Sequence, residues 1–190
     1  MNVLQFPRMV VSSREGWDTV ERLRPPMDQV FLRLVLPLSL LPPLMILIAS
    51  RGIGAEVFPH VSFANWLIAA TVFFVAEHFS VPILANSVRL ASIAKGGSNN
   101  LHDAYAVAAI APVPLWLSSI AVLSGSVWVT VVVGVLAMGA SAMLIRHGVD
   151  RLLGVEEYVE ASEVAIQVIS FGVLTWLGLI GVAVACLLLL

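Results

Sequence analysis

Five stretches of the chain are apolar almost without interruption, at residues 30–50, 61–84, 104–123, 127–145 and 164–187. Each approaches or exceeds the roughly 20 residues that carry an α-helix across bilayer hydrocarbon. Polar residues are confined to the connections. Only Ser124, Gly125 and Ser126 separate the third stretch from the fourth, which predicts a tight hairpin. In hydrocarbon the backbone must satisfy its own hydrogen bonds, and an α-helix does so. The pattern therefore predicts an all-α fold, a polytopic membrane bundle of five transmembrane helices over residues 30–190. A tail of residues 1–29 precedes it.

The tail carries a helix of its own. Ser12 stands three residues before Glu15, a capping-box spacing, and Trp17, Val20 and Leu23 follow at helical intervals. Pro25 and Pro26 stop it. A short helix with Trp17 at the headgroup boundary and Arg14, Arg22 and Arg24 beside lipid phosphates reads as an interfacial anchor. The sharper reading makes the same four residues a contact for a protein partner.

Composition supports a lipid setting. The chain is 59% hydrophobic and 12% charged, with mean hydropathy +0.98. Soluble domains carry about 25% charged residues, so there is too little charge here to wet a globule of this size. A net charge of −2 offers no field for nucleic acid. A single cysteine, Cys186, excludes an intrachain disulfide and a cluster of thiolates on zinc. The first apolar stretch, residues 9–11, is far short of the roughly 7–15 residues of a signal-peptide core. The first span is thus expected to serve as its own insertion signal. Nine of the ten lysines and arginines fall on one side of the five spans, with Arg51 alone opposite. The positive-inside rule then expects a cell (inner) membrane protein with its N-terminus cytoplasmic and its C-terminus across the membrane.

Several spans are irregular. Pro37, Pro42 and Pro43 interrupt the first, Pro82 stands late in the second, and Pro112 and Pro114 break the third. Each removes a donor and crowds a carbonyl one turn earlier, so at least two spans are expected to kink, with Ser39 near enough to serve a freed carbonyl. Static packing and a transporter-like broken-helix site are both open. Small residues four apart, at Ala104–Ala108, Ala137–Ser141 and Gly181–Ala185, suit close helix approach, within the chain first and between two copies second.

The chemistry-bearing residues are few. Glu77 and His78 lie inside the second span, where an ionisable side chain costs a few kcal/mol and marks a candidate functional site. Neighbours on a helix point about 100° apart, so each needs partners elsewhere. A proton relay or cation site is the functional reading. The structural one bonds Glu77 to a freed backbone group or to Arg89. His102, Asp103 and Tyr105 stand at the mouth of the third span, where Asp103 suits the helix dipole. Glu77, His78, His102 and Asp103 are metal ligands by type, without a recognised ligand spacing. Glu77, His78 and Asp103 are the candidates for transport or proton relay. Glu56, His60 and His147 read as solvated or helix-end groups. Glu156, Glu160 and Glu163 share one helical face before the fifth span, where they suit the dipole or pair with the N-terminal arginines. No phosphate loop, nucleotide fingerprint, nucleophile elbow or HExxH helix is present. The sequence thus offers no catalytic residues and no cofactor site.

Four segments carry a resemblance. They are Gly16-Trp17-Asp18-Thr19-Val20, Asn100-Leu101-His102-Asp103-Ala104-Tyr105-Ala106, Ala111-Pro112, and His147-Gly148-Val149-Asp150-Arg151-Leu152-Leu153-Gly154-Val155. In this order, among five spans, they resemble the Yip (Ypt/Rab-interacting protein) membrane family, in its bacterial form. The resemblance implies a five-helix domain with the N-terminus inside. Its eukaryotic relatives are associated with Rab-type GTPases and vesicle traffic. That role does not carry over to a chain with so short a tail, and the resemblance brings no catalytic residues.

Three readings follow. The first is a non-enzymatic protein that organises membrane lipids or binds a partner at the cytoplasmic face, with a second copy of the chain also admitted. The alternative is a small proton- or cation-coupled transporter or channel using Glu77 and His78. The third is a membrane-embedded metal enzyme. A transporter needs a polar cavity reaching Glu77, a scaffold a dry core and a docking surface, and an enzyme a single point within reach of the histidines and carboxylates.

Overall fold

A computed structural model describes residues 13–155 and 157–189, with side chains from Gly16 onward. Every described element is helical. The tail helix α1 spans Ser13–Leu23. The first span, α2, occupies Met27–Ala49, and a short α3, Ile53–Val57, follows it. The second span is α4, Phe63–Ala94. The third, Leu101–Ser124, consists of α5, Leu101–Ile110, α6, Val113–Ser118, and a tight 3-10 turn over Ser119–Ser124. The fourth and fifth are α7, Val127–Leu152, and α8, Tyr158–Leu189. Five helices are long and apolar enough to cross a membrane, as the hydropathy pattern predicts. The hairpin between the third and fourth turns on Gly125, whose φ of 67° suits a residue without Cβ.

Prolines break the spans where the backbone loses its donors. Before Pro37 the helix widens into a π turn, Phe31–Val35, in which the Leu36 N–H reaches the Phe31 carbonyl. The helix breaks again at Leu40, just ahead of Pro42 and Pro43. Ser39 Oγ donates to the Leu36 carbonyl at 3.3 Å, so a hydroxyl supplements the interrupted ladder. The third span breaks at Ala111–Pro112. Pro82, by contrast, sits inside an unbroken α4.

Both α4 and α8 hold 32 residues, about 48 Å of helix against roughly 30 Å of hydrocarbon. Their surplus helps to build a layer on the side of the tail. Ser98 N–H donates to the Leu153 carbonyl at 2.7 Å, joining the second connection to the fourth, and Gly97 N–H closes the end of α4 by donating to the Ser92 carbonyl at 2.9 Å. Lys95 pairs with Glu163. That hydrogen bond, then the charge of Glu163, holds the Lys95 ammonium above its ordinary value of 10.5.

The tail helix differs from the interfacial reading. Trp17 is fully buried and Val20 nearly so. The Trp17 ring lies over Gly148 of α7, where an added Cβ would stand 2.9 Å from it and 3.1 Å from Val107 of α5. The indole is therefore a core anchor, not a headgroup contact. Periodicity shows only that Trp17 shares a face with Val20, and burying a large aromatic in protein wins wherever a facing helix offers a glycine-sized recess. Asp18 adds an ion pair with Arg151 at 3.6 Å. Ser12 and the side chains of Arg14 and Glu15, and with them the capping box, lie outside the described residues. Arg22 remains exposed.

Most side chains left exposed along the spans are apolar, among them Phe79, Leu136, Ile166 and Leu174, as lipid-facing positions require. Of the small-residue pairs, Ala104–Ala108 and Ala137–Ser141 are buried. Gly181 is exposed and Ala185 half-buried, so that pair does not serve close packing inside the chain.

Candidate functional site

Glu77 on α4 is 4% exposed. Its Oε1 accepts a hydrogen bond from Trp116 Nε1–H on α6. The broken third span supplies that partner. After the interruption at Ala111–Pro112, α6 starts with Pro114 in its first turn, where a missing N–H costs nothing, and Trp116 is brought inward to 2% exposure. The carboxyl bonds to neither a freed backbone group nor Arg89, which instead donates to Asn86 Oδ1 at 3.0 Å.

Glu77 Oε2 has no partner, and neither does the buried hydroxyl of Ser141 on α7. Both residues line one cavity of about 620 Å³ to which all five spans contribute. Its walls are mainly apolar, with Met45, Phe73, Met138 and Trp176 among them. Val131 and Val135 of α7 and Ile180 of α8 line it while remaining exposed. The cavity therefore opens on the lateral surface that α7 and α8 present to the bilayer.

His78 turns away. Its Nδ1–H donates to the Phe74 carbonyl of its own helix at 2.8 Å, and Nε2 lies 3.5 Å from Ser39 Oγ. Phe31 meets the ring edge-on at 5.8 Å and Phe74 lies tilted at 4.2 Å. The sequence neighbours Glu77 and His78 thus occupy separate surroundings.

Asp103 and His102 form a third locality, at the start of α5. Asp103 is 5% exposed, 3.9 Å from the Arg24 guanidinium and 3.6 Å from His102 Nδ1. His102 Nε2–H donates to the Pro25 carbonyl at 2.8 Å. Arg24 reaches Asp103 from a backbone with φ of 37°, a left-handed conformation costing a non-glycine residue about 1–2 kcal/mol. The tail is thus tied at the mouth of the third span. Among the described side chains, Arg24 pairs with Asp103, Asp18 with Arg151 and Lys95 with Glu163, while Arg14 and Glu156 of the expected pairing lie outside them.

Glu77, His78, His102 and Asp103 do not converge, and no group of three metal-ligating side chains exists among the described residues. Trp116 was not singled out in the sequence, and Ser141 was named there only as a small packing residue beside Ala137. The available signal for Trp116 was an indole in a proline-broken span, since a buried indole N–H seeks an acceptor.

The Trp116–Glu77 bond makes a direct prediction. Trp116→Phe leaves both carboxyl oxygens unpartnered and is expected to cost about 1–3 kcal/mol. Glu77→Gln keeps a carbonyl oxygen for the indole and costs less. Thermal unfolding in detergent compares them, and equal losses would show that this bond is not what seats the carboxyl.

Five spanning helices, a buried tail anchor and a cavity open within the spans define a polytopic α-helical membrane protein. The family model described as the Yip1 domain matches residues 8–179, and the chain belongs to that family. No curated protein and no solved structure matches it significantly.

Proposed function

We propose that the protein works without catalysis, holding lipids or partner proteins in the plane of the cell (inner) membrane. One observation carries this reading: Glu77 lines a mainly apolar cavity open to the side, whereas His78 is bonded elsewhere. A proton or cation route needs successive polar stations, and the two intramembrane ionisable groups do not share one. The asymmetry of positive charge supports a cytoplasmic tail. There Arg22 and the 63% exposed side chain of Arg24 are available to a protein partner. The exposed Gly181 and half-buried Ala185 suit close approach by a second copy.

The test is flux. Liposomes loaded with a pH-sensitive dye and containing the protein are expected to leak protons and monovalent cations no faster than empty liposomes under an imposed gradient. Flux above that background, lost in Glu77→Gln, would replace this reading with the transporter.

A further inference from the structure

We propose that the cavity between the spans holds one acyl chain of a phospholipid, taken sideways from the leaflet away from the tail helix. The inference rests on the lipid-holding reading and names the part of the lipid that is held.

The cavity is a slot that runs along the spans. On α7 its lining extends from Thr130 to Ile145, about 22 Å of helix rise. Its mouth lies towards one end. The exposed lining residues Val131 and Val135 stand in the first turns of α7, whereas Trp17 of the tail packs on Gly148 near the other end of that helix. Ile180, the exposed lining residue of α8, stands in the half of its helix away from the tail. The opposite end of the slot is shut by Val81, Leu84, Ala108 and Ile145, all buried in the core that also seats Trp17. From Val135 at the mouth to Ile145 is about 15 Å. That is half of a hydrocarbon layer of roughly 30 Å, the depth that one leaflet's chains fill.

The walls select a chain over water. Ser80, Ser118, Ser119, Thr130 and Thr175 line the slot, but each hydroxyl donates to a carbonyl of its own span. A buried water needs two to four polar partners, and these side chains are turned back on their helices. The remaining wall is mostly methyl, methylene and aromatic, which gains dispersion contacts with an alkyl chain. Two glycines mark room kept open. Gly134 of α7 and Gly172 of α8 both line the slot, and a Cβ added to either meets nothing within 4 Å. Glycine inside a helix is less favourable than alanine, and close helix contact, its common reason in a membrane, is missing at both. Gly134 is nevertheless buried, so the space beside it belongs to the slot.

The probe is a phosphatidylcholine with a diazirine at the tip of one acyl chain, mixed into liposomes that hold the full-length protein. Illumination releases nitrogen, and the carbene inserts into neighbouring C–H bonds. Adducts are expected on Leu84 and Ile145 at the closed end, besides those on Phe79 and Leu136, which are exposed on the spans. Gly134→Leu and Gly172→Leu each fill the slot from one wall, and each should remove the closed-end adducts while leaving the other two. Moving the diazirine to the carboxyl end of the chain should shift the slot adducts to Val131 and clear Ile145. Wild-type adducts confined to Phe79 and Leu136, closed-end adducts that persist in either variant, or Ile145 adducts from the carboxyl-end probe would overturn the site. The flux test reads ions and not lipid, so failure of the chain site and failure of the non-transporting role are separable.

Discussion

Trp17→Ala is expected to release the tail helix from the bundle. The indole is fully enclosed, and removing a buried tryptophan costs about 3–5 kcal/mol through lost contacts and an unfilled space. What remains of the seat is small. Val20 is the only other buried apolar residue described on α1, and the Asp18–Arg151 pair is about half exposed, a setting in which ion pairs contribute little. The five spans do not depend on α1 for their backbone bonds, so the loss appears first as local opening. Trypsin supplies the readout, because Arg22, five residues after the indole, is followed by Leu23 and offers a cleavable bond. Wild-type protein in micelles should resist cleavage there, Trp17→Ala should be cut many times faster, and the unfolding midpoint of the spans should move less. Trp17→Phe should fall between. Cleavage of Trp17→Ala at the wild-type rate would show that the tail is held by something other than this ring.

Gly97→Ala is expected to damage the opposite corner of the same layer. A Cβ at this position would stand 2.5 Å from Ser92 Oγ, 2.7 Å from Val155 Cγ2 and 2.8 Å from the Leu153 carbonyl oxygen. The serine hydroxyl can rotate away. The Leu153 carbonyl cannot move freely, because it accepts the Ser98 N–H at 2.7 Å. Relief therefore separates the second connection from the fourth and strains that hydrogen bond. Overpacking of this kind costs about 1–3 kcal/mol, and the lost bond adds about 1 kcal/mol. Thermal unfolding in detergent reads the total. Gly52→Ala provides the comparison, since a Cβ there meets nothing within 4 Å. Equal stability of the two variants would show that the connections do not touch as closely as their hydrogen bonds imply.

Much of the architecture was legible in the sequence because it follows from one-residue properties. Twenty apolar residues in a row need no partner to say that they enter lipid, and a proline loses its N–H whatever packs beside it. The five spans, the breaks near Pro42 and Pro112 and the turn at Gly125 all follow in this way. Family membership was also legible, since the four quoted segments lie within residues 8–179 of the family match. Three of them touch the tail layer: Trp17, Asp103 and Gly148 meet there through the indole seat and the Arg24 pair.

The contents of the site were not legible, because they depend on pairs of residues. Glu77 and His78 are adjacent in sequence, but the rotation of α4 about its axis decides what each one faces. In a uniformly apolar span hydropathy carries little information about that rotation, which packing against neighbouring helices sets. The same holds for Trp17, whose helical spacing is equally compatible with a lipid headgroup and with a recess over Gly148. The sequence by itself determined that this chain is a five-span helical membrane protein with proline-broken first and third spans. Only the tertiary structure decided that Trp116 bonds Glu77, that His78 turns away, and that Glu77 and Ser141 line one mainly apolar cavity. Insertion into lipid is scored residue by residue, whereas a site exists only where side chains from different helices meet.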